Sequence, residues 1–133
     1  MNQPLNTIID TPWKVWYELL RVICHPFVIF YLKLNGVQVG NQTKWYGFPK
    51  VFRHRGSTIS IGDRVEVRSW RFSNPLGVNH PTILTTWKKG AILEIRNDVG
   101  ITGGIICASK KVIIGKGTLI GANSSIIDTD FHP

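Results

Sequence analysis

The sequence contains little cysteine and few acidic side chains. Its 133 residues include two cysteines, Cys24 and Cys107, with no CxxC motif and no Cys/His cluster, so neither a disulfide framework nor a zinc site is indicated. Both thiols are predicted to be small buried side chains of a protein in a reducing compartment. No uninterrupted apolar run reaches about 18 residues, which argues against a membrane-spanning helix. The composition, 43% apolar and 18% charged, excludes a disordered chain and indicates one packed domain.

Basic residues outnumber acidic ones, and the excess lies in the first half. Sixteen Lys and Arg against eight Asp and Glu give +8, of which residues 1–80 carry ten bases and four acids, or +6. Such a balance favours an anionic partner, whether nucleic acid, lipid headgroups, acidic glycans or a phosphorylated cofactor. No arginine-rich helix or RNP-like strand accompanies the charge, so nucleic acid is not expected among the partners.

Residues 1–35 are predicted to form an N-terminal helical segment. The chain opens without the basic region and apolar core of a signal peptide, so a cytoplasmic location is expected. Thr11 and Pro12 suit the N-cap and first helical position. Pro26 predicts a kink or a division into helices 12–25 and 26–34. Apolar residues at steps of three and four predict one apolar face: Trp13, Trp16, Leu20, Ile23, Phe27, Phe30 and Leu34.

Two interpretations of this apolar face are open. It packs against the remaining fold or a neighbouring subunit, or it lies in a membrane interface. Tryptophans at positions 13 and 16, next to Lys14 and Arg21, are typical of interfacial helices. The second interpretation would place the protein peripherally at the inner membrane.

From Val39 onward the chain shows a six-residue repeat. An aliphatic residue is often followed by glycine, with clean units starting at positions 39, 61, 114 and 120 and weaker ones at 95, 101, 107 and 126. Three units make one triangular coil: the aliphatic residue points inward, and glycine and Asn/Asp supply positive-φ backbone at the corners. Units at 39, 45 and 51 form one coil, 61 and 67 begin a second, 95, 101 and 107 form a third, 114, 120 and 126 a fourth, and 132 opens a fifth.

The repeat is interrupted between the units at 67 and 95. Turn-forming residues from Ser73 to Pro81 predict a loop insertion at about 72–92. We expect this loop to project from the prism and to carry function, with a plain corner insertion as the alternative.

Residues 36–133 resemble the hexapeptide-repeat acyltransferases, and most specifically the sugar O-acetyltransferases of capsule and O-antigen synthesis. The resemblance implies a mainly β fold, a left-handed parallel β-helix of about four coils. It further implies acetyl-CoA or another acyl-CoA as co-substrate, no metal, a sugar or glycan acceptor, and a homotrimer with its active groove between neighbouring prisms. The motifs that carry it are Asn74-Pro75-Leu76-Gly77-Val78-Asn79-His80-Pro81, Gly100-Ile101-Thr102-Gly103-Gly104, Ile120-Gly121-Ala122-Asn123 and Asp128-Thr129-Asp130-Phe131-His132-Pro133.

The resemblance places the catalytic base on the last of these motifs, at His132. Neutral imidazole near pH 7 suits removal of a proton from the attacking sugar hydroxyl. Asp130 and Asp128 precede it, and one carboxylate would orient the ring while the other meets the acceptor. Their division of labour is open, and both also fit solvated turn carboxylates.

Four further residues are predicted to bind substrate. Thr102 lies where relatives contact the acceptor or the acyl group, although a corner threonine without function is the alternative. Asn79 and His80 lie in the projecting loop, and Asn123 belongs to the third motif.

Two alternative hypotheses concern the function of the repeat. A metal-dependent β-helix enzyme such as a γ-type carbonic anhydrase would need closely spaced histidines, which this sequence lacks. A truncated, inactive solenoid with only an assembly or membrane-docking role is the main alternative. The 133-residue chain is expected to be C-terminally incomplete and to have little activity alone, because the coils that hold coenzyme in relatives follow the His-Pro motif.

Overall fold

The computed structural model describes residues 9–70 and 77–129, which form one long helix followed by short parallel strands. The helix is α1 (Pro12–Leu34). The strands are β1 (Gln38–Val39), β2 (Lys44–Tyr46), β3 (Lys50–Arg53), β4 (Thr58–Ile61), β5 (Glu66–Arg68), β6 (Ile83–Thr86), β7 (Ile92–Ile95), β8 (Gly100–Thr102), β9 (Ile105–Ala108), β10 (Lys111–Ile114), β11 (Leu119–Ile120) and β12 (Ser125–Ile127).

These strands build three parallel sheets of four strands each. Sheet A has the order β1-β4-β7-β10, sheet B β2-β5-β8-β11 and sheet C β3-β6-β9-β12. Successive strands along the chain belong to sheets A, B and C in turn, so every three strands complete one coil. The strands of each coil pair with those of the next. The protein is therefore mainly β with the architecture of a parallel β-helix, as the repeat predicts.

Each sheet contributes at least one apolar side chain per coil to the inside of the prism. Neighbours in a column are paired directly across the parallel strands, and all are buried except the half-buried Val39 and Ile126. Burying one such side chain contributes about 1.5–3 kcal/mol, so the stacked column is the main source of stability. The columns are Val39, Ile61, Ile95 and Ile114 in sheet A, Trp45, Val67, Ile101 and Ile120 in sheet B, and Val51, Leu84, Ile106 and Ile126 in sheet C.

Two positions of the repeat differ from the sequence prediction. The unit expected at Cys107 is centred on Ile106, which pairs with Leu84 and Ile126. Consecutive apolar residues in β9 hide the period there. The insertion expected at about 72–92 contains β6, whose Leu84 completes the second coil. Leu84 is followed by threonine, so the aliphatic-glycine pattern gives no sign of it.

The glycine that follows the inward aliphatic residue is needed for a different reason from the one predicted. A Cβ on Gly62 would lie 2.4 Å from Asn97 Oδ1, so this glycine is needed where successive coils approach closely. Positive φ occurs instead two residues later in the unit, at Arg64 and at its equivalents Gln42, Asp98 and Asn123. The expected positive-φ backbone is thus confirmed at Asp98 and Asn123 and at corner glycines such as Gly117, but it is not found at Gly62.

The helix α1 continues through Pro26 without a break, so the predicted division into two helices is not observed. Its buried residues, Val28 and Leu32, join the core cluster and pack on the first coil. A side-chain hydrogen bond from the Tyr46 hydroxyl to Glu18 ties the middle of the helix to β2. Arg53 Nε donates to the Asn35 carbonyl at 2.9 Å, just beyond the helix C-terminus.

The apolar face predicted from the helical period does not pack on the fold. Cys24, Val28 and Leu32 form the packed face instead. Packing of this face against the protein's own β-helix is therefore excluded. A neighbouring subunit and a membrane interface remain as the two possible environments. Of the seven residues of the predicted face, Leu20 is half-buried and the other six are exposed: Trp13, Trp16, Ile23, Phe27, Phe30 and Leu34.

Candidate functional site

The sequence-predicted substrate residues meet at the corner between sheets B and C. The loop after β5 leaves sheet B at this corner and returns to sheet C at β6. The same corner carries the turn between β8 and β9 and the turn between β11 and β12. Residues from the second, third and fourth coils are consequently brought together.

Asn123 fastens the loop to this corner. Its Oδ1 accepts the backbone N–H of Asn79 at 3.0 Å, and its Nδ2 donates to the carbonyl of Gly77 at 2.8 Å. Asn123 itself has φ +62°, a left-handed conformation that asparagine tolerates better than most residues. The amide is thus used for positioning, and the loop it holds is the part with exposed polar side chains.

Close packing of the loop depends on Gly103, at the turn after β8. A Cβ there would lie 2.8 Å from Val78 Cγ1 and 3.1 Å from the His80 carbonyl oxygen. Val78 is 3% exposed, so it is the apolar anchor of the loop. Gly103 of the Gly-Gly motif therefore allows the loop to pack against the third coil.

Thr102 lies at the end of β8, directly beside Arg68 of β5 in the parallel register. The Thr102 carbonyl accepts the backbone N–H of Asn123, and the Arg68 carbonyl accepts that of Gly103. A cleft of about 330 Å³ opens on the outer face of sheet B here. Its lining includes Glu66, Arg68, Thr102, Leu119 and Gly121.

Arg68 also borders this cleft, although the sequence motifs do not point to it. Its guanidinium pairs with Glu66 at 2.8 Å and lies 4.1 Å from the centroid of the Tyr46 ring. These contacts hold a cation at the edge of the cleft, where it can meet hydroxyl or phosphate oxygens. The repeat does offer a signal for Arg68. This residue follows the inward Val67 by one position, just as Thr102 follows the inward Ile101.

His80 is half-buried at the base of the loop. Its Nδ1 lies 3.0 Å from the Pro81 carbonyl oxygen, which can only accept. That hydrogen bond requires the proton on Nδ1, so the neutral ring keeps Nε2 as an acceptor. Such a ring can accept a hydrogen bond from a sugar hydroxyl.

Asp128 lies at a different corner, between sheets C and A. Its Oδ1 accepts the N–H of Ser109 at 2.5 Å, and its Oδ2 accepts those of Lys110 and Lys111 at 2.8 and 2.9 Å. Although desolvation opposes ionisation, these backbone hydrogen bonds lower the pKa of Asp128 below its ordinary value. The carboxylate therefore caps the turn between β9 and β10, and β12 separates it from Asn123.

Cys107 lies near this carboxylate and is buried. Burial first, and then the charge of Asp128, raise the pKa of its thiol. The neutral thiol is a poor nucleophile, so Cys107 is given no role in the chemistry of the site. Cys24 is partly buried and also free.

His132 and Asp130 lie outside the described residues, as does the start of the Asn-Pro-Leu-Gly motif. Within residues 9–70 and 77–129, no group of three or more His, Cys, Asp or Glu is placed to hold a metal ion.

The fold and this corner define the class of protein, a parallel β-helix with a loop fastened across its coils. Comparison of the chain with protein-family models, curated proteins and solved structures gave no match.

Proposed function

We propose that this protein is an acyl-CoA-dependent O-acyltransferase, with acetyl-CoA as the expected donor, that acts on a hydroxyl of a sugar or polysaccharide precursor. The coils would have the left-handed sense of the hexapeptide-repeat family. The observation that carries the proposal is the convergence of Asn79, His80, Thr102 and Asn123 at one corner, because the motifs of the resemblance name these same residues.

The chemistry of this corner fits binding of a polyhydroxylated acceptor. Thr102 and Arg68 border the cleft with a hydroxyl and a fixed cation. The loop adds the exposed Asn79 and the imidazole of His80. Sugars are bound through several hydrogen bonds of this kind from groups that are already positioned before binding.

In the proposed reaction, His132 removes the proton from the acceptor hydroxyl as its oxygen attacks the thioester carbonyl. The new ester bond forms, the carbon–sulfur bond breaks, and the proton passes to the departing thiolate of coenzyme A. Asp130 would orient the imidazole. For Asp128, the three backbone hydrogen bonds support a role in shaping the neighbouring turn rather than direct contact with the acceptor.

A homotrimer is part of the proposal, because relatives form the active groove between neighbouring prisms. The outer face of sheet C supports association, since it exposes Phe52 and Ile127 in the same strand register and Trp87 at its edge. Light scattering at working concentrations should give the mass of three chains. A monomer that retains acyl transfer would contradict this part of the proposal.

The experiment that tests the function combines a panel of acyl-CoAs with a panel of sugars and nucleotide sugars. Acylated sugar is measured by mass spectrometry after long incubation, so that slow turnover is also detected. A mass increase of one acyl group on one class of sugar supports the proposal. Failure of every acyl-CoA both to bind and to yield product would instead favour a solenoid with only an assembly or docking role.

A further inference from the structure

More than half of the exposed large apolar side chains among the described residues lie on one side of α1. At 100° per residue, its exposed apolar residues span roughly half of the helix circumference. Phe27 and Phe30 are 64% and 68% exposed. An apolar surface of this size on a folded protein marks a binding site. The other members are Trp13, Val15, Trp16, Leu19, Val22, Ile23, Pro26 and Leu34.

Basic side chains predominate among the charges around this surface, and the partly exposed Glu18 of α1 is paired with Arg21. Within α1, the two charged residues in the exposed class are Lys14, near its start, and Lys33, in its last turn. The neighbouring β2 adds the exposed Lys44, which lines a cleft of about 670 Å³ together with Val22 and Pro26. These three lysines form no ion pair with any residue in the described ranges. Their charges are therefore available to a partner.

We infer that this face of α1 docks on an anionic membrane surface, with the helix lying in the plane of the interface. Tryptophan and phenylalanine would enter the boundary between headgroups and acyl chains, and the lysines would lie among the lipid phosphates. The inference is independent of the proposed acyl transfer.

Charge complementarity favours lipid over a second copy of this chain. Two copies joined through this face would bring their lysine-rich rims together, and each copy carries a net charge of +8. Like charges at an interface oppose association, whereas a bilayer containing acidic lipids attracts each basic residue by about 1 kcal/mol.

The packing of the helix favours an interfacial over a spanning position. By length and composition alone, α1 is long and apolar enough to cross a membrane. A spanning helix would have to withdraw Val28 and Leu32, both 0% exposed, from the core. It would also break the contacts of Glu18 with Tyr46 and of Asn35 with Arg53. An interfacial helix keeps all of these contacts and buries only the face that is now exposed.

Cosedimentation of the full chain with phosphatidylcholine vesicles, with and without phosphatidylglycerol, tests this inference. Binding should be about tenfold or more tighter with the anionic lipid. Phe27→Gln/Phe30→Gln should weaken binding by about tenfold or more, because both rings enter the bilayer. Lys33→Glu/Lys44→Glu should weaken binding to the anionic vesicles alone.

Matched variants on other surfaces are the controls. Ile113→Gln removes an exposed apolar side chain from sheet A, and Lys110→Glu/Lys116→Glu reverses two exposed lysines of the last two coils, whereas α1 packs on the first coil. Both should bind vesicles like the parent. The inference is overturned if the parent binds neither vesicle, or if the α1 variants reduce the oligomer mass in light scattering without changing vesicle binding. Resistance of the protein to carbonate extraction from cell membranes would overturn it in favour of a spanning helix.

Discussion

Asn123 in the fourth coil accepts the backbone N–H of Asn79 in the projecting loop, with its Oδ1 3.0 Å from the Asn79 nitrogen. This contact joins residues 44 positions apart and holds the loop across the end of β8. It makes Asn123 a positioning residue for the proposed acceptor site.

Asn123→Gly should therefore release the loop. Glycine accepts the φ of +62° without strain, so this variant removes only the side-chain hydrogen bonds, at a cost of about 1 kcal/mol. We expect amide hydrogen exchange at Asn79 to accelerate by about tenfold, and KM for the acceptor to rise more than kcat falls. Asn123→Ala adds backbone strain and should be less stable than Asn123→Gly. Unchanged exchange at Asn79 would show that the loop is held by other contacts.

Gly62 and Gly121 occupy the same place in their repeat units but should respond differently to substitution. A Cβ at Gly62 would lie 2.4 Å from Asn97 Oδ1 and 2.8 Å from the Asn97 nitrogen, whereas none of the described atoms lies within 4 Å of a Cβ at Gly121. Gly62→Ala should reduce the free energy of unfolding by about 2 kcal/mol. Gly121→Ala should change it by less than about 1 kcal/mol. Equal changes in the free energy of unfolding, measured in urea, would contradict this account. They would show that the glycine of the repeat is not required by the close approach of successive coils.

Asp128→Asn should destabilise the fold in a pH-dependent manner. The carboxylate accepts three backbone N–H groups, and the exposed position limits their combined contribution to about 1–2 kcal/mol. Because the pKa of Asp128 is lowered in the folded state, this stability is present above the ordinary value of 3.8 and is lost as pH falls through the lower folded value. Urea unfolding of parent and variant should differ at pH 7 and converge in acid. A stability difference that persists in strong acid would contradict the assignment of this stability to the ionised carboxylate.

Tyr46 should show the opposite pH dependence. Its burial, followed by its hydrogen bond to Glu18, raises the pKa of Tyr46 from 10.0 to about 12. The stability from its neutral hydroxyl is therefore complete below pH 10 and is lost as pH rises toward the folded value. Tyr46→Phe should be about 1–2 kcal/mol less stable than the parent near neutral pH, and the difference should shrink in alkali. A difference between parent and Tyr46→Phe that is equally large at pH 7 and in strong alkali would contradict this role of the hydroxyl.

The six-residue period made most of the β-helix predictable from the sequence. Inward positions such as Ile61 and Ile95 are spaced by the geometry of the coil itself, so pattern and packing agree. The period failed at Leu84 because threonine follows it, and the strand β6 was placed inside a loop.

The candidate site was predictable only in part. The motifs named Thr102, Asn79, His80 and Asn123, and the fold brings all four to one corner. Arg68 was missed because its contact with Thr102 depends on strand register across two coils, which the sequence does not show directly. The orientation of α1 was missed for a related reason. Its most apolar face and its packed face differ, and a helical period identifies only the first.

The most direct test of the proposed acyl transfer compares the parent with His132→Ala and with the control His54→Ala. His54 lies exposed at the corner between sheets C and A, away from the loop, so its loss should leave the rate within about twofold. Loss of a general base typically lowers the rate by about 10²–10⁴-fold. Acylated sugar from parent and His54→Ala, with product from His132→Ala reduced by about that factor while acyl-CoA binding persists, is the predicted result. Equal product from all three proteins would contradict the account.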